Sequence, residues 1–166
     1  SKILTLLNNL GFVEVLKDNN VILYKRQPSN KEFLSVELGG LEDDKHLGMG
    51  WAVRDEGFRW SGKKASVMFR LENPRDMNLL FKTATFYKDQ PVTIYINENK
   101  IAKIELTTNI KDFKLPVEKQ NLKKGINTVY FMFEKSYRPK DVLPKSADGR
   151  NLSAKFNKIL LQDLND

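Results

Sequence analysis

From residue 33 onward, hydrophobic and polar positions alternate in short runs separated by turn residues. Leu34, Val36 and Leu38 alternate up to Gly39-Gly40, and Ala65, Val67, Phe69 and Leu71 alternate up to Asn73-Pro74. Leu79–Tyr87 is rich in Phe, Thr and Tyr and closes at Asp89-Gln90-Pro91; Val92, Ile94 and Ile96 lead through Asn97-Glu98-Asn99-Lys100 into Ile101–Leu106. Phe113 and Leu115 sit in a shorter run ending at Pro116, and Thr128–Glu134 and Phe156–Leu161 complete the set. A period of two with breaks at this spacing predicts seven to nine short strands and a mainly β fold, an antiparallel β-sandwich or jelly roll. The first thirty residues read differently. Ile3, Leu4, Leu6, Leu7 and Leu10 recur at helical spacing before Gly11; Phe12, Val13 and Val15, a polar turn at Asp18-Asn19-Asn20, and Val21–Arg26 then predict a β-hairpin. Pro28-Ser29-Asn30 marks a boundary, dividing the chain into a helix–hairpin lead-in of residues 1–30 and a sandwich of residues 31–166.

Composition supports a real core and narrows the chemistry. The 166 residues are 40% hydrophobic, with 10 Phe, 5 Tyr and 2 Trp. There is no Cys and one His, which removes disulfides, thiol catalysis, finger-type zinc sites and most triad chemistry. The net charge of +7 comes from 21 Lys against 7 Arg, with no basic run longer than two residues. Nucleic-acid surfaces concentrate Arg and interleave aromatics, so the diffuse lysine reads instead as a solubilising surface with an affinity for anionic polymers. No apolar run is long enough to span a bilayer. The chain starts at Ser1 rather than Met, which reads as a stretch cut from a longer protein.

Several local patterns carry a resemblance. Leu122-Lys123-Lys124-Gly125-Ile126-Asn127, running into Thr128–Phe131, looks like the "L-x-x-G-x-N" lead into a late strand of carbohydrate-binding jelly rolls. Physically, Gly125 permits the turn and Asn127 hydrogen-bonds the loop backbone. Val92–Asn97 with Lys100–Leu106, and Asp112–Val117, are similar to strands of that galactose-binding-like fold. Gly50-Trp51, Gly57–Gly62, Ala65-Ser66-Val67 and Asp148–Leu152 resemble a jelly-roll module appended to multispanning membrane glycosyltransferases and related envelope proteins. Leu6-Leu7 through Gly11-Phe12, followed by Val21–Arg26, looks like the unit that follows the last membrane span in such proteins. The resemblance implies a cofactor-free accessory domain on the extracytoplasmic face of the membrane, part of a larger membrane protein. Its implied partners are carbohydrate or an anionic envelope polymer, and not nucleic acid.

The candidate ligand-binding residues are Trp51, Arg59, Trp60, Tyr137, Arg138, Asp148 and Arg150. Arg59-Trp60 fits a sugar platform, an indole face under a pyranose with a guanidinium beside it. It fits better an architectural corner in which Trp60 closes the sandwich and Arg59 pairs with an acid such as Asp148. For Trp51 the approach Gly48-Met49-Gly50 points to a tight, packed turn. Residues 136–151 form a long loop mixing Tyr137 with Arg138, Lys140, Lys145 and Arg150, which suits either an anionic glycan or a pinned crossover. Glu42-Asp43-Asp44-Lys45-His46 reads as a solvated loop, since adjacent acids do not follow a calcium loop's alternation. Ser61 lies outside a G-x-S-x-G elbow, and Gly48, Gly50 and Gly57 do not open a helix after a strand, so neither a hydrolase nucleophile nor a nucleotide loop is indicated. No catalytic residue or metal ligand is assigned, and the domain reads as non-catalytic. The alternatives are a structural or assembly domain packing on its parent membrane protein and a glycan-acting hydrolase.

Overall fold

The computed structural model describes residues 12–18, 21–26 and 31–166. The chain divides into two units, Ser1–Glu32 and Phe33–Asp166. In the first, β1 (Phe12–Asp18) and β2 (Val21–Arg26) pair antiparallel with a register shift between Glu14 and Leu16. This is the expected hairpin; the helix expected over Ile3–Leu10 and the break at Pro28-Ser29-Asn30 lie outside the described residues.

The second unit is a mainly β, antiparallel sandwich of jelly-roll type. Its strands are β3 (Ser35–Glu37), β4 (Arg59–Ser61), β5 (Lys64–Leu71), β6 (Met77–Thr85) and β7 (Gln90–Ile96), followed by β8 (Asn99–Leu106), β9 (Lys111–Val117), β10 (Gly125–Phe133) and β11 (Ala154–Asp163). One sheet has the order β5-β10-β7-β8; the other has β3-β11-β6-β9, with β4 also on β11. The chain crosses between sheets after β4, β5, β6, β8, β9 and β10, so every neighbour within these two sheets except β7-β8 is distant in sequence. Alternation does what the pattern requires: in β7, Gln90, Val92, Ile94 and Ile96 are buried while the residues between them are half-buried. The inner faces meet through aromatic rings. Phe81 stands edge-on to Phe131 at 5.3 Å, and Phe131 lies 4.7 Å from Phe156, linking β6, β10 and β11. Burial of this layer is the dominant stabilising term.

Three features differ from the sequence expectation. The alternation at Leu34–Leu38 yields a strand of only three residues, because one edge of β11 is shared: β4 covers Ala154–Phe156 and β3 covers Lys158–Leu160. Asn157 sits at the junction, its carbonyl accepting from Leu38 N (2.8 Å) and its side-chain amide donating to Gly57 O (2.8 Å). Strand β4 has no alternating run of its own and is formed by pairing with β11 on one side and with the Gly50–Ala52 segment on the other. The loop after β10 contains a single helical turn, α1 (Pro139–Val142), started by the buried Pro139. No helix among the described residues is long and apolar enough to cross a membrane.

The Gly125–Asn127 motif behaves as its chemistry demands. Gly125 adopts φ +92°, and a Cβ there would meet no atom within 4 Å, so the backbone angle alone selects glycine. Asn127 is fully buried; its Oδ1 accepts from Lys123 N (2.9 Å) and its Nδ2 donates to Lys123 O (2.7 Å) and Gly125 O (3.2 Å). Asn127→Ala is therefore expected to strand these backbone groups and destabilise the domain by about 1–3 kcal/mol. Urea unfolding with an unchanged m-value would measure it, and a loss within experimental error would refute this account.

Candidate functional site

Arg59, on β4, is only 6% exposed and anchors a polar knot. Its Nε and Nη2 donate to the two carboxylate oxygens of Asp43 (2.6 and 2.7 Å), Nη2 also to Asp44 Oδ1 (2.7 Å), and Nη1 to Ala52 O (3.0 Å). Asp43 lies in a single 3-10 turn (Asp43–Lys45), is 2% exposed, and accepts a further bond from Gly39 N (2.8 Å). Two expectations are corrected here. Glu42–His46 is not wholly a solvated loop, because Asp43 is buried; and the acid that pairs with Arg59 is Asp43, not Asp148. Burial pushes the Asp43 carboxyl up, but bonds from Arg59 and Gly39 N–H, with the Arg59 charge, outweigh it and hold its pKa below the ordinary aspartate value. Arg59 is raised, chiefly by its hydrogen bonds to Asp43. With its hydrogen bonds directed into the fold and its side chain out of water, Arg59 anchors β4 to the turn at Asp43–Lys45.

Trp51 is likewise turned inward. Its indole N–H donates to Ser66 O (2.7 Å) and its ring meets Phe156 edge-on at 5.5 Å. Gly50 makes this approach possible: at φ +85°, a Cβ would fall 1.7 Å from Lys64 O, in overlap with the β5 backbone. The half-buried ring thus sits in a packed turn, with its N–H used inside the fold.

Trp60 faces the other way. Side chains alternate along β4, so Arg59 and Ser61 point in while half-buried Trp60 lies on the outer face, in register with Lys155 of β11. There it begins a ladder of rings drawn from three segments. Trp60 meets Phe58 edge-on at 5.8 Å and Phe86 edge-on at 5.5 Å; Phe86 lies 6.4 Å from Tyr87, and Tyr87 meets Tyr137 edge-on at 5.2 Å. Tyr137 is placed by a backbone bridge to Leu152. Two ammonium groups lie over the ladder, Lys155 over Phe58 at 5.6 Å and Lys88 over Tyr87 at 5.4 Å. The Trp60 indole N–H and the Tyr87 and Tyr137 hydroxyls make no hydrogen bond with any described residue, so three polar groups on aromatic bodies face water. The structure thus joins Trp60 and Tyr137 through Phe86 and Tyr87, which the sequence reading did not single out. Tyr87 is the unusual member: it is 42% exposed and adopts φ +67°, a conformation bulky side chains avoid. The strand-like composition of Leu79–Tyr87 concealed it; the following Lys88-Asp89 turn was the available signal.

The remaining candidates border the ladder. Arg150 grips Asp148 through a backbone bond (2.9 Å) and side-chain bonds (2.7–3.1 Å), and its other arm is 4.0 Å from Asp55, whose hairpin carries Phe58. The Arg150 hydrogen bonds lower the Asp148 pKa. Exposed Arg138 pairs with Asp141 at 2.6 Å across α1. Among the described residues, no group of three or more His, Cys, Asp or Glu is arranged to hold a metal ion.

No protein-family model matches the chain, and neither does any curated protein. Solved structures do. A family 35 carbohydrate binding module from an environmental isolate is 11% identical with TM-score 0.43, covering 80% of this chain and 87% of that one. An exo-beta-1,3-galactanase from Phanerochaete chrysosporium is 13% identical with TM-score 0.47, covering 84% of this chain and 30% of that one. A ruminal endo-beta-1,4-mannanase is 15% identical with TM-score 0.48, covering 82% and 27%. The chain thus spans most of the binding module and under a third of either hydrolase.

The Arg59–Asp43 knot makes two predictions. Arg59→Ala leaves a buried carboxylate unpaired and is expected to cost about 3–5 kcal/mol in chemical denaturation. Because the folded-state pKa of Asp43 is depressed, its contribution is full above the unfolded aspartate pKa and is lost as pH falls through the folded value. Stability should therefore drop below about pH 4, and more shallowly in Asp43→Asn than in the native chain. Parallel acid slopes for the two proteins would refute this.

Proposed function

We propose that the domain is a non-catalytic module that contacts carbohydrate through the Phe58–Trp60–Phe86–Tyr87–Tyr137 ladder. The observation that carries this reading is Tyr87. A tyrosine at φ +67° costs the fold of order 1 kcal/mol, and an exposed ring gives little back in burial. Such strain persists where a side chain is needed at that spot. What the ladder offers is an apolar surface with an indole N–H and two phenol hydroxyls facing water, which matches a pyranose: C–H groups on its faces and hydroxyls at its rim.

The wider setting belongs to the same proposal. The likeness of Leu6–Arg26, Gly57–Gly62 and Asp148–Leu152 to a module of membrane glycosyltransferases supports a place on the extracytoplasmic face, positioning glycan or anionic envelope polymer for a parent enzyme. The excess of lysine is compatible with an anionic partner.

Tyr87→Gly separates function from folding. Glycine relieves the backbone strain, so stability should stay within about 1 kcal/mol of the native chain. The Trp60 indole resonance, which should move on NMR titration with neutral or acidic oligosaccharides, is expected to move far less in this variant. A native chain whose Trp60 and Tyr137 signals ignore every sugar on a glycan panel would overturn the reading.

A further inference from the structure

The outer face of the other sheet carries a second aromatic surface. On β10, outward positions hold Ile126, Thr128, Tyr130 and Met132, with Ile126 39% and Met132 38% exposed. Core packing does not account for them, since the inward positions Val129, Phe131 and Phe133 supply that contact. Antiparallel register sets Tyr130 directly opposite Tyr95 of β7, and Met132 opposite Lys64 of β5 and Thr93 of β7. Lys64, Tyr95, Asn97, Tyr130 and Met132 line an open depression of about 250 Å³. The Lys64 ammonium lies 5.2 Å from the centre of the Tyr130 ring and has no carboxylate partner among the described residues. The hydroxyls of Tyr95 and Tyr130 are also without a hydrogen bond there.

One wall of the depression is rigid. Asn97 Nδ2 donates to Asn127 Oδ1 (3.0 Å) and Asn121 O (3.2 Å), and Asn97 Oδ1 accepts from Thr128 N (3.1 Å). This ties the depression to the buried Asn127 plug. A preformed hollow with two phenols, a thioether and one ammonium offers the same mixture as the ladder: apolar faces with hydrogen-bonding tips.

We infer that this depression is a second carbohydrate-contact site, taking one or two pyranose units of a glycan chain. The inference rests on the carbohydrate reading of the ladder and adds a geometric consequence. Trp60 lies on the outer face of the β3-β11-β6-β9 sheet, and Tyr130 lies on the outer face of the opposite sheet. The two surfaces point away from each other across the sandwich, so a chain seated on one does not lie along the other. The domain is then bivalent and bridges two glycan chains, gaining avidity without raising the affinity of either site.

The test is an NMR titration of the full 166-residue chain with mannohexaose and, separately, a galacturonate hexamer. The expected result is two groups of shifts: one at the Trp60 indole and Tyr137, the other at Tyr95, Tyr130 and Met132. Trp60→Ala should remove the first group and leave the second. Tyr130→Ala should do the reverse, weakening its own face roughly tenfold as expected for a central aromatic anchor. Tyr130→Phe, which keeps the ring, should retain most of that binding and controls for folding. Shifts confined to the Trp60 group would overturn the second site while leaving the first. A Tyr130 group that disappears in Trp60→Ala would overturn its independence, and no shifts at all would remove both readings. Bridging has its own readout: the native chain should raise the turbidity of a soluble polysaccharide that shifts both groups, and neither single-site variant should.

Discussion

The buried pair of Arg59 and Asp43 is the constraint from which the exposed surface follows. Desolvating both charges is costly, and it is tolerated because the guanidinium meets the carboxylate two-pronged while Gly39 N–H and Ala52 O satisfy adjacent positions. That geometry ties the 3-10 turn after β3 to β4 and keeps β4 in register on β11. Since side chains alternate along β4, holding Arg59 inward holds Trp60 outward. The knot therefore sets the direction of the indole.

The same logic organises the opposite face. Asn127 is buried where β10 begins, and its bonds to Lys123, Gly125 and Asn97 join the strand's lead-in loop to the β7–β8 turn. One buried amide thus sets both the start of β10 and the wall beside Tyr95 and Tyr130. In each case a polar group inside the fold determines which aromatic rings stand outside it. Both outer surfaces combine rings, unengaged hydroxyl or indole groups and lysine ammonium groups, so they share a chemistry although no strand supplies aromatic rings to both.

Much of the architecture was legible in the alternation of residues. Val92–Ile96 and Ala65–Leu71 form strands because their apolar residues recur every second position and one face must be buried. Asn127 was legible too, since Gly followed two residues later by Asn before an apolar run has a local hydrogen-bonding explanation. Strand β4 was not, because three residues carry no readable period and exist as a strand only against β11 and the Gly50–Ala52 segment. The burial of Asp43 was equally hidden: a run of Glu-Asp-Asp-Lys looks solvated unless one knows that Arg59, sixteen positions away, closes on it. The ladder escaped notice because its rings come from three separate segments.

Sequence alone determined the fold class, the strand spacing and the small set of chemistries open to a chain with one His and no Cys, because these depend on local periodicity and composition. Tertiary structure decided which of the singled-out residues face water. Trp51 and Trp60 lie nine positions apart with similar glycine-rich surroundings, yet one donates its N–H to Ser66 O inside the sandwich and the other leaves its N–H to solvent. That difference is set by pairing: Trp51 follows a glycine pressed against β5, whereas Trp60 occupies an outward position on β4. Orientation in a sheet depends on partners remote in sequence, and no local pattern encodes it.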